Sequence, residues 1–168
     1  MLSRRNFIQQ SIAASFGMAL VSSCGRSQSR PEIIVVGGGV GGVAIIRALL
    51  ALTPNVNITL VEPAQIYHNC PLSSNCLAGI LPDDRVRQSY IHVANLPNVT
   101  WVRDKADQID YDKKHLSTLS GAIIPFDKLV VSPGIDFVTD GIDGYDPFAT
   151  PHGWKNDTNL FDLKNQLQ

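Results

Sequence analysis

The chain of 168 residues is poor in several things. It has three cysteines, Cys24, Cys70 and Cys76, too few for a disulfide-stapled scaffold. The four histidines, His68, His92, His115 and His152, are scattered without metal-ligand spacing, so no metal site is expected. Charged residues make up 17% and the net charge is −1, with no basic run interleaved with aromatics. That argues against nucleic acid as a partner. No apolar run reaches the ~20 residues that cross a bilayer. There is no internal repeat and no low-complexity segment. What remains is 44% hydrophobic, an ordinary globular composition with length for one core.

The first thirty residues read as an address. Ser3-Arg4-Arg5-Asn6-Phe7-Ile8 is a twin-arginine pattern, the apolar stretch 12–21 follows, and small residues Ser22-Ser23-Cys24-Gly25 close it. This is the order of an export signal; the alternative is an amphipathic N-terminal helix. The twin-arginine route carries folded proteins, often with a cofactor inserted. Val21-Ser22-Ser23-Cys24 also resembles a lipobox. On that reading Cys24 is a lipid anchor on a membrane surface; on the other, cleavage occurs nearby without lipid. The expected location is periplasmic. Losing Arg4 and Arg5 and no acid would leave the exported domain more acidic than the whole chain. The expected division is 1–30 signal and linker, and 31–168 a single domain segment.

The domain opens on Glu32-Ile33-Ile34-Val35-Val36, a continuous apolar run suited to a parallel strand buried on both faces. Residues 40–52 read as a buried helix ended by Pro54 and Asn55, and 57–62 as the second parallel strand. Residues 63–81 read as a loop with a short helix near 73–78, and 83–94 as a further helix. A strand at 99–103 precedes a β-meander of short strands at 106–111, 116–119 and 122–127, with Pro125 at an edge or bulge. Residues 128–132 form another buried strand stopping at Pro133-Gly134, and 159–167 a last helix. Phe148 and Trp154 read as core residues.

Gly37-Gly38-Gly39-Val40-Gly41-Gly42 fits G-x-G-x-x-G between strand and helix. Gly37 permits the tight turn, Gly39 lets the backbone approach a pyrophosphate, and Gly42 lets helix pack on strand. The helix N-terminus offers free N–H groups to phosphate. Glu62 ends the second strand, where a carboxylate accepts from ribose hydroxyls and repels a 2′-phosphate, which disfavours NADP. The turn alone leaves FAD and NAD open. The meander followed by Leu129-Val130-Val131-Ser132-Pro133-Gly134 favours FAD, because it resembles the first FAD segment of flavoproteins with two dinucleotide-binding domains.

A fuller resemblance rests on Val35 through Gly42, Leu60-Val61-Glu62-Pro63, Tyr67-His68-Asn69-Cys70 with Leu72-Ser73, Phe126 through Asp136, and Pro151-His152-Gly153-Trp154-Lys155. From residue 32 onward the chain resembles the flavoprotein subunit of flavocytochrome c sulfide dehydrogenase, in the pyridine nucleotide-disulphide oxidoreductase superfamily. The resemblance implies an α/β fold: an FAD-binding Rossmann-like βαβ unit with a β-meander insertion, truncated before a second, NAD-like domain. It implies FAD held by Gly37, Gly39, Val40, Gly41, Gly42, Glu62, Pro63, Cys70, Pro133 and Gly134. In that family a cysteine in this loop bonds to the flavin 8α-methyl carbon, and Cys70 holds the position, although Pro71 stands where an aromatic is common. A Cys70–Cys76 disulfide and two inert thiols are the alternatives. Tyr67 and His68 would line the flavin edge or pack as loop residues, and Asp136 would orient the phosphate or ribitol.

The implied activity is sulfide:cytochrome c oxidoreduction, with sulfide as substrate and a c-type cytochrome subunit as partner. The family's redox-active cysteine pair has no counterpart after Cys76. No catalytic residue is therefore assigned, and this chain alone is expected to be inactive. The alternatives are an FAD module without turnover, a fragment of a sulfide:quinone reductase-like flavoprotein, and an exported NAD-binding protein.

Overall fold

The structure, a computed structural model, describes residues 29–136, 138, 141–146, 149–154 and 159–167. The signal, Cys24, Phe148 and Lys155 lie outside the described residues. Strand β1 is Glu32–Val36, and helix α1, Val40–Leu52, follows the glycine turn. Strand β2 is Asn57–Val61 and short β3 is Ile66–His68. A 3-10 turn, Cys70–Leu72, leads into α2, Ser73–Leu77. Then come α3, Asp83–Val86, β4, Arg87–Ser89, α4, Ile91–Ala94, and β5, Val99–Val102. The meander is β6, Ala106–Asp110, β7, His115–Thr118, and β8, Ile123–Pro125. Strand β9, Lys128–Val131, and helix α5, Asn159–Leu167, complete the chain.

Four parallel strands form the central sheet in the order β5-β2-β1-β9. The chain winds outward from β1 through β2 to β5, then returns to the other side of β1 as β9. The gap between β1 and β9 is thus a switch point, where open α/β sheets place ligands beyond the strands' carboxyl ends. Backbone bonds carry the sheet to that edge: the Gly37 amide donates to Val61 O at 3.0 Å, Glu62 to Val102 O at 3.0 Å, and Ser132 to Val36 O at 2.8 Å.

The two faces of the sheet follow the period of a strand. Ile33, Val35, Ile58 and Leu60 face α1 and pack with Ile46, Tyr90 and Val93. Ile34 and Val61 face the opposite way and pack with Leu116 and Phe126 of the meander side. Burying each such aliphatic side chain contributes about 1.5–3 kcal/mol. A third cluster, Cys76, Val86 and Leu160, joins α2, α3 and α5. The meander is antiparallel with β8 at its edge, where Pro125 ends the strand without breaking a central ladder.

Several expectations change. Helix α1 is one-sided: only Gly42 and Ile46 are buried, because just one stripe of it reaches the sheet. Strand β9 is half-exposed, since among the described residues it is the outer strand beside β1. The run 83–94 is not one helix. Tertiary pairing overrides the local pattern: β4 pairs antiparallel with β3, Tyr67 opposite Gln88, and splits the run in two. The loop 63–81 correspondingly contains β3. Trp154 is not core; it is 58% exposed. Cys70 and Cys76 are not bonded to each other in the structure.

Candidate dinucleotide cleft

The glycine turn is shaped by what surrounds each residue. Gly37 has φ +91°, and a side chain there would collide with the Ser132 carbonyl. A side chain on Gly42 would collide with the carbonyl of Gly37. On Gly38 it would strike the ring of Tyr90, and on Gly41 it would meet Ser132 Oγ at 2.9 Å. Gly39 differs: among the described residues beyond its own chain neighbours, no atom lies within 4 Å of where its Cβ would stand. The helix that follows has no side-chain cap on its N-terminus and no acid in its first turn. Its leading N–H groups therefore face open space with the positive end of the helix dipole, the arrangement that takes phosphate.

Glu62 is held from three directions. One carboxylate oxygen accepts the Gly38 amide at 2.9 Å and the other the Ala64 amide at 2.9 Å. Its backbone carbonyl accepts Trp101 Nε1 at 2.9 Å. Tyr90 lies beside both Glu62 and Gly38, with its ring 5.8 Å from that of Trp101. Burial first, and the Glu62 charge second, push the Tyr90 phenol well above its ordinary value.

A cleft of about 290 Å³ collects these elements. Gly37, Gly39, Val40, Gly41, Glu62, Cys70, Pro133 and Gly134 all line it. Gly42 sits behind it in the helix–strand packing, and Pro63 is exposed outside it. Of the loop pair, Tyr67 lines the cleft and His68 does not; His68 lies edge-on to Phe161, ring centres 5.6 Å apart. Strand alternation on β3 sends the two side chains to opposite faces. Asp136 is exposed and follows Ile135, the last lining residue of its segment. Trp154 belongs to the cleft wall.

The thiols differ. Cys70 is half-buried on the cleft wall, its Sγ donating to His68 O at 3.4 Å. The Tyr67 phenol is raised by burial and then by the nearby Cys70. Cys76 is buried away from the cleft and donates to Asp83 Oδ1 at 3.2 Å; burial and then this bond raise its thiol. Among the described residues no group of histidine, cysteine and acidic side chains could hold a metal, and no helix is long and apolar enough to cross a membrane.

Sequence reasoning missed Tyr90, because it fell inside a run read as helix. The only signal was an aromatic with a polar tip on the stretch linking β2 to β5. It also misplaced Trp154, whose bulk alone suggested burial.

Comparison with known proteins places the fold. The family model for pyridine nucleotide-disulphide oxidoreductase matches residues 31–165. The chain belongs to that family. FAD is the cofactor of this family and of this chain. The open Gly39, the uncapped helix and the Glu62 carboxylate fit its dinucleotide moiety. Sulfide-quinone reductase of Aquifex aeolicus (strain VF5) is 29% identical over 71% of this chain and 27% of its own length. The sulfide dehydrogenase [flavocytochrome c] flavoprotein chain of Chlorobaculum thiosulfatiphilum is 43% identical over 26% of this chain and 90% of that sequence. The X-ray structure of the Aquifex aeolicus sulfide:quinone oxidoreductase superposes with a TM-score of 0.70 at 24% identity, covering 82% of this chain and 32% of that one. The chain spans less than a third of the length of these sulfide-quinone reductases.

Proposed function

We propose that this chain is the FAD-binding part of a sulfide:cytochrome c oxidoreductase, with the flavin tethered through Cys70. The observation that carries the proposal is that Cys70, half-buried, lines the same cleft as the glycine turn. The 43% identity to a flavocytochrome c flavoprotein sequence supports the same reading.

Bound FAD would accept two electrons from sulfide and release them singly to c-type haem. This chain's residues bind and orient. The α1 N-terminus and Gly39 take the pyrophosphate, Glu62 accepts from the ribose, and the 132–134 turn with Tyr67 and Trp154 walls the remainder. Cys70 would hold the flavin as a thioether at its 8α-methyl carbon, the flavin itself taking up the electron pair and the two hydrogens displaced. Such a bond prevents loss of the cofactor after export. Export by the twin-arginine leader to the periplasm, with or without lipid on Cys24, belongs to the same proposal. Sulfide as substrate and a c-type cytochrome subunit as partner complete it.

The test is direct. Purified protein is precipitated in acid: yellow colour that stays with the polypeptide, and is released in Cys70→Ala, supports the tether. Colourless protein that binds no FAD would sink the reading. A second reading, a sulfide:quinone reductase-like flavoprotein, is favoured by the match to Sulfide-quinone reductase over 71% of the chain. Sulfide-dependent reduction of a quinone analogue but not of cytochrome c would select it. Absence of both is expected of this chain by itself and is shared with an FAD module without turnover.

A further inference from the structure

Cys70 stands on a short stretch that is fixed from behind. His68 ends β3 and pairs with Arg87 of β4. Cys70 Sγ donates to the His68 carbonyl at 3.4 Å, and the Asn69 amide donates to Val86 O at 2.7 Å. The Leu72 amide closes the turn on Asn69 O at 3.0 Å. Residues 68–72 thus take their position from the β3–β4 pair and the end of α3. Cys70 and Pro71 line the dinucleotide cleft. Behind them lies helix α5.

Helix α5 meets this stretch through one face. The Phe161 ring lies edge-on to His68, centres 5.6 Å apart, and the Arg87 guanidinium sits 5.5 Å from its centre. One ring therefore touches both members of a β3–β4 pair. Leu160 is buried against Cys76 and Val86, and Leu72 packs on the same cluster. Leu163 lines a cavity of about 300 Å³ whose wall includes Cys70 and Pro71. Lys164 donates to Asp83 Oδ1, the oxygen that also accepts Cys76 Sγ. That ion pair is partly exposed and worth at most about 1 kcal/mol, so the apolar and ring contacts carry the docking. Among the described residues that line the dinucleotide cleft, none comes from α5.

We propose that Phe161 is a positioning residue for flavin attachment: by backing the His68–Arg87 pair it holds the Cys70 thiol at the point on the cleft wall that the flavin 8α-methyl carbon must reach. The assignment rests on the tether reading of Cys70. Attachment exchanges the Cys70 S–H bond and one C–H bond of the 8α-methyl for an S–C bond, and the two hydrogens pass with their electron pair to the flavin. Bond formation makes a stricter geometric demand than binding. A misplacement of about 1 Å at the reacting atoms costs roughly 100-fold in rate. Binding is spread over the glycine turn and Glu62, which Phe161 does not touch, so it is insensitive to this ring.

The experiment uses the whole chain, produced under flavin starvation, and compares it with Phe161→Ala, Phe161→Leu and Phe161→Tyr. FAD is added and acid-stable flavin is followed with time. Reversible FAD affinity is measured for each in a Cys70→Ala background, and maleimide labelling of Cys70 is timed before flavin is added. Attachment should slow about 10- to 100-fold in Phe161→Ala, less in Phe161→Leu, and not at all in Phe161→Tyr, which keeps the ring. FAD affinity should be unchanged, and maleimide labelling equal or faster. Phe161→Leu keeps apolar volume and carries the comparison if the alanine variant does not fold. Attachment at the parent rate in these variants overturns the proposal and leaves the tether reading intact. A loss of affinity equal to the loss of rate, or slower maleimide labelling, assigns the ring to the fold and also overturns it. A parent chain that binds FAD but gains no acid-stable flavin overturns the tether reading and the proposal together.

Discussion

Gly42 lies so close to the carbonyl of Gly37 that no side chain fits between helix α1 and the end of β1. Gly39, three residues earlier, has no neighbour among the described residues where its side chain would stand. The glycines of one turn therefore divide into those required by the fold and one required by the ligand. Gly37→Ala and Gly42→Ala should destabilise the protein by several kcal/mol or prevent folding, by overpacking and, at Gly37, backbone strain. Gly39→Ala should cost at most about 1 kcal/mol as a changed helix N-cap while removing most FAD affinity. Chemical denaturation and flavin titration of the three variants measure both effects.

Glu62→Gln should lower stability and FAD affinity together. The side chain bridges the glycine turn and the start of the next loop through Gly38 and Ala64. Gln keeps one carbonyl acceptor and turns an NH2 toward the other amide. One buried N–H then loses its partner, at a cost of about 1–3 kcal/mol. A denaturation midpoint unchanged from the parent protein would show that the bridge is not structural.

The two thiols should label at very different rates. Before flavin is added, Cys70, half-buried on the cleft wall, should react with a maleimide at neutral pH. Cys76 is buried and its thiol form is favoured by burial and by Asp83, so it should label only on unfolding. Mass spectrometry of digests assigns the sites. FAD should protect Cys70 and leave Cys76 as it was.

Acid should loosen the meander before it disrupts the sheet. Asp104 is held down to about 2 by hydrogen bonds from Ser120 and Thr118 first, then by backbone amides. Its oxygens accept Ser120 N at 3.1 Å and Lys105 N at 2.8 Å. A carboxyl depressed in the folded state contributes stability present above its unfolded value of about 3.9 and lost as pH falls through the folded one. The loss should therefore run from about pH 4 to pH 2. Asp104→Asn should flatten that part of the stability profile, followed by hydrogen exchange of β6 and β7 amides.

The glycine turn and Glu62 were legible in the sequence because their constraints are local. A strand, three spaced glycines, a helix and an acid at the next strand end fix a small volume whatever lies elsewhere. The parallel strands were legible from their apolar runs. The region between β2 and β5 was not. There β3 and β4 are three residues each, and they exist only because each supplies the other's hydrogen bonds. No periodicity over three residues separates strand from helix, so Tyr90 was hidden inside a misread helix. Trp154 failed for another reason: its place on a cleft wall depends on a distant loop, which size and polarity do not encode.

The opposite facing of Tyr67 and His68 on β3 has a consequence for how this protein can change over generations. Their roles are assigned by parity, one side chain to the cleft and the next to Phe161. An insertion or deletion of one residue between Pro63 and Gln65 that slipped β3 by one place against β4 would exchange them and put an imidazole where the phenol now stands. Substitutions in that three-residue link leave the parity untouched. Its length is thus inherited more strictly than its letters, and lineages could vary its composition freely while a single-codon indel would rewrite the cofactor's surroundings.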